Sequence, residues 1–255
     1  MTEPHDVLIV EDELVVQEAA ERILRLEGLT IDKVAKADDA AKKLHDHTYR
    51  VVISDLMLPG GSGFDVIELA RSRSPATQVI VITGYATLDN AIQSFTLGAF
   101  DVIPKPFDVG ELLGVVSRAL RFRELSAIAG GISKPPSPTR EERYFLGQHA
   151  WALLEPGGSV LFGVAETFPN TLGRSRTVEL PEPEGHTLQG RSFLKMSSDD
   201  EVYRVWAPLT GQIIAVNPRI ADETDLIDTD PYGHGWLVRI VPTNLEEELQ
   251  KLTRR

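Results

Sequence analysis

Five side chains that could take part in phosphoryl chemistry stand at the ends of short apolar runs. Glu11 and Asp12 directly follow VLIV, Asp55 directly follows VVIS, Thr83 ends VIVIT, and Lys105 follows DVIP. If these runs are parallel strands of one sheet, their carboxyl ends meet at one edge. The pattern therefore predicts a polar site that combines three carboxylates, a hydroxyl and an ammonium group.

The residue types in this set indicate which chemistry the site would perform. Clustered carboxylates repel one another, so we expect a cation to neutralise them, and Mg²⁺ is the natural candidate because it takes oxygen ligands. A hydroxyl and an ammonium group at the same edge can bind the oxygens of a phosphoryl group. Together these types predict a phosphoryl-transfer site with an aspartate nucleophile.

Each residue also has a simpler interpretation. A single aspartate at a strand end is more often a helix cap or a turn residue. Thr83 before Gly84 is compatible with ordinary turn chemistry, and most lysines only extend their charge into solvent. The functional interpretation is favoured because all of these residue types occur together, in order, at the ends of successive apolar runs.

Alternating strand and helix patterns run through residues 1–127. Apolar residues at helical spacing begin at Leu14 and stop at Gly28, and Asp108 with Glu111 forms a capping signal before a later helix. Uninterrupted runs rich in Val and Ile are typical of strands that are buried on both faces of a parallel sheet. The expected strands are Val7–Val10, Thr30–Val34, Val51–Ile53, Val79–Ile82 and Phe100–Ile103. Five such units predict a doubly wound α/β domain.

The composition changes near residue 129. The stretch AGGISKPPSPTREE (129–142) concentrates Gly, Pro and Ser and is typical of a linker. Beyond it, short apolar segments alternate with turn sequences, which predicts a mostly β domain. The expected segments are Trp151–Leu154, Val160–Val164, Val202–Trp206, Gln212–Val216 and Trp236–Val241, with a short helix over Asn244–Leu252. The expected division is a domain over 1–127, a linker over 128–142 and a domain over 143–255.

The overall composition argues against several classes of function. The formal net charge is −12, with acid in excess on both sides of residue 142, so neither half offers the positive field that nucleic acids require. No apolar run approaches membrane-spanning length, and the start MTEPHDV does not resemble a signal peptide. Because the chain has no cysteine, disulfides and Cys-based zinc sites are excluded, and a cytoplasmic location is expected.

Residues 5–125 resemble a response regulator receiver domain. The resemblance rests on VLIVEDE (7–13), VVISDLMLPGGSGFDVI (51–67), VIVITGYAT (79–87) and GAFDVIPKPFD (99–108). It implies a flavodoxin-like fold and a phosphoprotein of two-component signal transduction. Such a protein is not an enzyme beyond slow autophosphorylation from small donors and autodephosphorylation. A histidine kinase would supply the phosphoryl group, and a homodimer through this domain is a further expectation.

The resemblance also implies roles for individual residues. Asp55 would be the phosphoacceptor. Asp12 would bind Mg²⁺ directly, with Glu11, Asp55 and the backbone carbonyl of Met57 completing the protein ligands. These roles match the chemistry that the residue types predict by themselves.

Two further residues would respond to the phosphoryl group. Thr83 would close on the phosphoryl oxygens, and Lys105 would pair with the acyl phosphate, with a cis Lys105–Pro106 bond of the kind that proline makes accessible. Val102 departs from the family pattern, which usually has Tyr or Phe three positions before this lysine. Phe100 lies nearby but on the other face of a strand. We therefore expect the Thr83 movement without the usual aromatic coupling.

Residues 143–243 resemble the H protein of the glycine cleavage system, which carries lipoate on a lysine. The resemblance rests on HAW (149–151), GVAETFPNTLG (163–173), VELPEPEG (178–185), APLTGQIIAVN (207–217) and LIDTDPYGHGWLVRI (226–240). It implies a mostly β barrel-sandwich hybrid fold of the lipoyl type.

The lysine that carries lipoate in this family stands at a hairpin tip between the LPE and APxSG motifs. An ungapped register between Leu180 and Pro208 puts Asp200 at that place, within the acidic run 199–201. The only lysine nearby is Lys195, several residues before the tip. The second domain is therefore expected to have lost its lipoyl site.

These expectations leave three functional hypotheses. In the first, a kinase phosphorylates Asp55, and the H-like domain is an output that binds an unknown protein. In the second, the protein is a lipoyl carrier of the glycine cleavage type under phosphorylation control, with Lys195 modified. In the third, the receiver is a phosphoryl buffer and the second domain only stabilises it. A DNA-binding output is disfavoured by the charge and by the lack of a helix-turn-helix pattern.

Overall fold

The computed structural model describes residues 5–85, 87–128, 142–172, 177–198 and 201–255. The chain forms two compact units, Met1–Ser126 and Ala127–Arg255. The expected linker falls mostly on 129–141, outside the described residues.

A five-stranded parallel sheet forms the centre of the first unit, with the order β2–β1–β3–β6–β7. The strands of this unit are β1 (His5–Val10), β2 (Ile31–Val34), β3 (Tyr49–Ser54), β4 (Met57–Leu58), β5 (Gly61–Ser62), β6 (Gln78–Thr83) and β7 (Asp101–Pro104). β4 and β5 pair only with each other. The chain winds outward from β1 to β2 and then in the opposite direction from β3, so the switch point lies between β1 and β3.

Five helices alternate with these strands. They are α1 (Leu14–Leu26), α2 (Ala37–Asp46), α3 (Gly63–Arg73), α4 (Leu88–Thr96) and α5 (Val109–Ile128). The expected boundary signals are confirmed for α1 and α5. Gly28 has φ 78°, which suits glycine just after a helix end, and the Glu111 amide donates to Asp108 Oδ1 at 2.8 Å. α5 extends one residue beyond the expected domain boundary.

The three inner strands are almost completely buried. The side chains of Val7–Val10, Val51–Ile53 and Val79–Ile82 are at most 2% exposed. On one face of the sheet they pack against apolar residues of α1 and α5, such as Leu24 and Leu112. Burial of a Val, Leu or Ile side chain contributes roughly 1.5–3 kcal/mol to stability. Burial on both faces explains why these strands are continuous apolar runs in the sequence.

Two antiparallel sheets form the second unit. Its strands are β8 (Tyr144–Leu146), β9 (Ala150–Leu154), β10 (Val160–Val164), β11 (Thr177–Glu179), β12 (His186–Thr187), β13 (Ser192–Ser198), β14 (Glu201–Trp206), β15 (Gly211–Val216), β16 (Val238–Pro242) and β17 (Thr253–Arg254). The larger sheet has the order β12–β15–β16–β10–β9–β8–β17, and the smaller has the order β11–β13–β14. The expected mostly β architecture is confirmed.

A single apolar core joins the two sheets of this unit. Fully buried members from both sheets include Phe162, Val205 and Ile240. Helical structure among the described residues of this unit is limited to α6 (Leu226–Thr229), α7 (Leu245–Leu249) and the 3₁₀ turns Pro169–Thr171 and Pro218–Ala221. None of the helices in the described part of the chain is long and apolar enough to cross a membrane.

Two expected elements near the chain end differ from the structure. The strand expected to start at Trp236 starts at Val238, because the Trp236 carbonyl accepts a hydrogen bond from Asn217 Nδ2 at 2.7 Å and belongs to the preceding turn. The helix expected over Asn244–Leu252 stops at Leu249, because residues 253–254 pair with β8 at the edge of the larger sheet.

Candidate functional site

Asp55 lies at the carboxyl end of β3, beside the switch point of the parallel sheet. Its amide donates to the Val10 carbonyl at 2.9 Å, which ties the residue to the end of the neighbouring strand β1. Its Oδ1 accepts a hydrogen bond from the Met57 amide at 3.2 Å. The side chain is only 7% exposed, so this carboxylate is held in a defined position with little access to solvent.

Glu11 and Asp12 follow β1 and lie next to Asp55. One carboxylate oxygen from each of the three residues lies within 4.8 Å of the others. Glu11 is buried and Asp12 is exposed. Burial raises the pKa of Glu11, although hydrogen bonds from Lys105 and from the Glu13 amide oppose the shift. The sheet therefore gathers the three acids that the sequence predicted to meet.

Lys105 supplies the positive charge nearest to this cluster. It follows β7, and its amide donates to the Thr83 carbonyl at 2.9 Å. Its ammonium nitrogen lies 2.7 Å from Asp55 Oδ2, 2.8 Å from Glu11 Oε2 and 2.8 Å from Glu13 Oε1. Burial alone would lower the pKa of Lys105, but its hydrogen bonds to the three carboxylates outweigh burial and raise the pKa. The lysine is therefore charged throughout the physiological pH range.

The peptide bond after this lysine is cis, as the resemblance implied. Thr83 ends β6 opposite Pro104 and is fully buried. Its hydroxyl oxygen accepts a hydrogen bond from the Tyr85 amide at 3.1 Å. Thr83 thus lies at the same edge of the sheet as Lys105, with its hydroxyl engaged by the loop that leads to α4.

Two residues that contact the site were missed by the sequence reasoning. Glu13 binds Lys105, and its only signal was its position directly after the acid pair. Gly63 allows the start of α3 to pack against the backbone of Asp55, since a Cβ there would lie 2.0 Å from the Asp55 carbonyl oxygen. The signal for Gly63 was a glycine directly before a helical pattern, since glycine allows a close approach of the backbone.

The donor set at this edge fits a hard divalent cation. Three carboxylates converge, two of them buried, and one ammonium group balances them incompletely. Mg²⁺ prefers oxygen ligands of this kind and commonly retains several waters. Glu11, Asp12 and Asp55 can therefore hold Mg²⁺. The part assigned to the Met57 carbonyl stays a prediction; the Met57 side chain is exposed, and its amide binds Asp55.

Val102 occupies the place where an aromatic switch residue was expected from the family pattern. It lies in β7, is 2% exposed and pairs with Val81 of β6. Phe100, just before the strand, is also buried and packs in the core beside α5. Val102 has no aromatic ring, and the ring of Phe100 is not exposed to solvent.

The hairpin β13–β14 is the segment to which the resemblance assigns the lipoyl lysine. Its last described pair is Ser198 opposite Glu201, so residues 199 and 200 connect the two strands. Asp199 and Asp200 themselves lie outside the described residues, so the assignment of the lipoyl position to Asp200 stays a prediction.

Lys195 lies within β13, three positions before the end of that strand. It pairs with Arg204 of β14 on one side and with Glu179 of β11 on the other, so its backbone is in the middle strand of the smaller sheet. Its side chain is exposed, whereas Leu194 and Met196 are buried. Lys195 therefore lies on a strand, with its side chain on the face opposite that of its two apolar neighbours.

Comparison with known proteins matches each half of the chain to a different family. The family model of the response regulator receiver domain matches residues 7–117, and that of the glycine cleavage H-protein matches residues 143–255. A probable glycine cleavage system H protein of Pyrococcus abyssi is 37% identical over 113 residues, which cover 44% of this chain and 84% of that protein.

The first half has relatives of a different kind. The response regulator protein PilR of Pseudomonas aeruginosa is 38% identical over 47% of this chain, but the match covers only 27% of PilR. The crystal structure of a CheY-like receiver domain protein from Methanospirillum hungatei matches 49% of this chain and 99% of that chain, with 28% identity and a TM-score of 0.47. Residues 7–117 are thus a response regulator receiver domain, and the chain belongs to the glycine cleavage H-protein family through residues 143–255.

Proposed function

We propose that this protein is a response regulator whose Asp55 is phosphorylated by a histidine kinase, and whose H-like domain is a non-lipoylated output that binds another protein. The observation that carries the proposal is the contact of 2.7 Å between the Lys105 ammonium group and Asp55 Oδ2 inside a cluster of acids. In this proposal residues 1–127 form the receiver domain, 128–142 the linker and 143–255 the output.

The reaction is an attack of one Asp55 carboxylate oxygen on phosphorus. With acetyl phosphate as donor, the new bond joins that oxygen to phosphorus, the bond from phosphorus to the acetate oxygen breaks, and acetate leaves with the electron pair. No proton is needed. With a phosphohistidine donor, the phosphorus–nitrogen bond breaks and the leaving imidazole takes up a proton from solvent. A carboxylate nucleophile that is held in place suits both donors.

Charge is the main obstacle to this reaction, because an anionic donor approaches an anionic cluster. Glu11, Asp12 and Asp55 would hold Mg²⁺, whose positive charge would offset the repulsion between nucleophile and donor. Lys105 already donates to Asp55 and can donate to a phosphoryl oxygen on that residue with little movement. Thr83 can donate its hydroxyl hydrogen to a second phosphoryl oxygen.

The response to phosphorylation is a shift between two existing conformations. The added group carries a charge of about −1.5 to −2 at neutral pH, and it interacts differently with the two positions of Thr83 and its loop. Val102 removes the usual aromatic part of this switch. A homodimer through the receiver domain stays a prediction, as does slow autodephosphorylation.

The output is proposed to act by binding and not by carrying lipoate. The reason is the hairpin: its last described pair is Ser198 and Glu201, and Lys195 is in the middle strand of a three-stranded sheet. The lipoyl lysine of the H protein stands at a hairpin tip, and Lys195 does not occupy such a tip. The partner of this domain would be a protein, given that the chain has a net charge of −12.

Phosphorylation kinetics test this proposal. The full-length protein and its Asp55→Asn variant are incubated with acetyl phosphate and Mg²⁺, and phosphoprotein is separated on a phosphate-affinity gel. We expect the wild type to be phosphorylated, the variant to remain unmodified, and a chelator to abolish the reaction. Asp46→Asn, which changes an exposed aspartate in α2, is the matched control and should behave like the wild type. Equal modification of wild type and Asp55→Asn would refute the assignment.

A further inference from the structure

Glu13 is the exposed member of the three carboxylates that bind Lys105. Its Oε1 lies 2.8 Å from the Lys105 nitrogen, and its side chain is 62% exposed, against 4% for Glu11 and 7% for Asp55. An ammonium group has three N–H donors. Each donor of Lys105 therefore has a carboxylate to bind, and Glu13 takes the one nearest to solvent.

The position of Glu13 in its helix shows that its side chain does not serve the helix. Glu13 is the N-cap residue of α1, and its side chain makes no capping hydrogen bond. Residues at this position usually stabilise the helix with a side-chain oxygen. Here the backbone amide of Glu13 donates to Glu11 Oε1 at 3.1 Å, while its carboxylate turns to Lys105. The backbone amide and the carboxylate of Glu13 thus both contact the cluster around Asp55.

We propose that Glu13 is a positioning residue that holds Lys105 from the solvent side. In this position it raises the affinity of the site for Mg²⁺ and lowers its affinity for a phosphodonor. The inference rests on the proposed phosphorylation of Asp55. A fourth negative charge beside the cluster attracts a divalent cation. It repels an anionic phosphodonor, and it occupies a Lys105 donor that a phosphoryl oxygen would otherwise use.

The variant Glu13→Gln separates these two effects because it keeps the shape of the side chain and removes its charge. We expect the dissociation constant for Mg²⁺, measured by calorimetry on unphosphorylated full-length protein, to rise roughly three- to tenfold. We also expect the acetyl phosphate concentration for half-maximal rate, at saturating Mg²⁺, to fall by a similar factor. Glu13→Asp, which keeps the charge, should retain most of the wild-type Mg²⁺ affinity.

Changes of opposite sign distinguish this role from simple damage to the fold. A structural defect would weaken both Mg²⁺ binding and phosphorylation. Glu13→Asp would then show the same losses as Glu13→Gln, although it keeps the charge. Glu18→Gln removes an exposed charge from the same helix and is the matched control, with no change expected in either quantity.

The inference is overturned if Glu13→Gln leaves the Mg²⁺ dissociation constant unchanged, or if it weakens Mg²⁺ binding and phosphorylation together. Its failure is distinguishable from failure of the proposed function. If wild-type protein is not phosphorylated at all, the proposed function fails and the phosphoryl half of this inference fails with it, while the Mg²⁺ measurement still decides whether Glu13 contributes to cation binding.

Discussion

The ammonium nitrogen of Lys105 lies 2.7 Å from Oδ2 of Asp55, although the two residues are 50 positions apart in the chain. The contact exists because β3 and β7 belong to one parallel sheet and both residues follow their strands at the same edge. The ammonium group of Lys105 partly balances the negative charge of the acid cluster when no metal is bound. The contribution of Lys105 to the stability of the domain should therefore depend on Mg²⁺.

Replacement of Lys105 by Met should therefore destabilise the receiver domain mainly in the absence of Mg²⁺. Loss of the ammonium group leaves the buried carboxylates of Glu11 and Asp55 without a compensating positive charge, which costs about 1–3 kcal/mol of unfolding free energy. Mg²⁺ binds only the folded cluster and should restore most of that loss. Urea unfolding in chelator and in excess Mg²⁺ measures both quantities.

The control for this experiment is Lys42→Met, which removes an exposed lysine that pairs with Asp39 on α2. An ion pair as exposed as this one contributes little to the free energy of unfolding, so the effect of the substitution should be small and the same with and without Mg²⁺. If Lys105→Met were equally unstable in both conditions, Lys105 would not be balancing a cation site.

Gly63→Ala should damage the same site through the backbone. The added Cβ would meet the Asp55 carbonyl oxygen at 2.0 Å and the Leu56 Cα at 2.6 Å, so the start of α3 or the Asp55 backbone must move. Such overpacking typically costs about 1–3 kcal/mol. We expect a lower midpoint of urea unfolding and slower phosphorylation by acetyl phosphate.

Gly84→Ala is the matched control, because a Cβ at Gly84 meets no atom within 4 Å among the described residues. The midpoint of Gly84→Ala should stay close to that of the wild type. A Gly63→Ala protein as stable as the wild type would mean that α3 can shift away from Asp55 without cost.

Most of the receiver site was predictable from the sequence because its residues follow continuous apolar runs. Parallel strands that are buried on both faces have an unmistakable composition, and the edge at which Glu11, Asp55 and Lys105 meet follows from the topology. The contact of Glu13 with Lys105 was not predictable, since it depends on the rotamer of an exposed side chain. Nor was the close approach of Gly63 to Asp55, which depends on the angle at which α3 begins.

The second domain was less predictable at its boundaries. Five of its ten described strands were expected from turn sequences and apolar runs, and Val160–Val164 was placed without error. Trp236 was assigned to a strand because it is aromatic and apolar, whereas its carbonyl binds the Asn217 side chain. Residues 253–254 were assigned to no strand, because pairing with β8 is a long-range contact with no local signal.

The switch should act mainly through the loop after β6. Because Val102 lacks an aromatic ring, phosphorylation is expected to perturb the segment from Thr83 to Thr87 more than the face near Val102. Amide exchange or chemical-shift mapping of the full chain in both states measures this difference. Equally large changes around Val102 and along α5 would show that another residue has taken over the coupling.

The H-like domain should carry no lipoate. Co-expression with a lipoate ligase and lipoate should leave the intact mass equal to that of the unmodified chain, because the position predicted for the lipoyl lysine holds Asp200 and Lys195 lies within a sheet. The variant Asp200→Lys is the positive control and should become modified. A lipoyl adduct mapped to Lys195 would contradict the proposal and favour the carrier hypothesis.

Reduction with borohydride shows whether Asp55 itself forms the acyl phosphate. Borohydride converts a phosphorylated aspartate to homoserine, which a peptide mass spectrum can locate. After treatment of the full-length protein with acetyl phosphate and Mg²⁺, we expect homoserine at position 55 and unmodified Glu11 and Asp12. Homoserine at another aspartate, with position 55 unchanged, would rule out Asp55 as the phosphoacceptor.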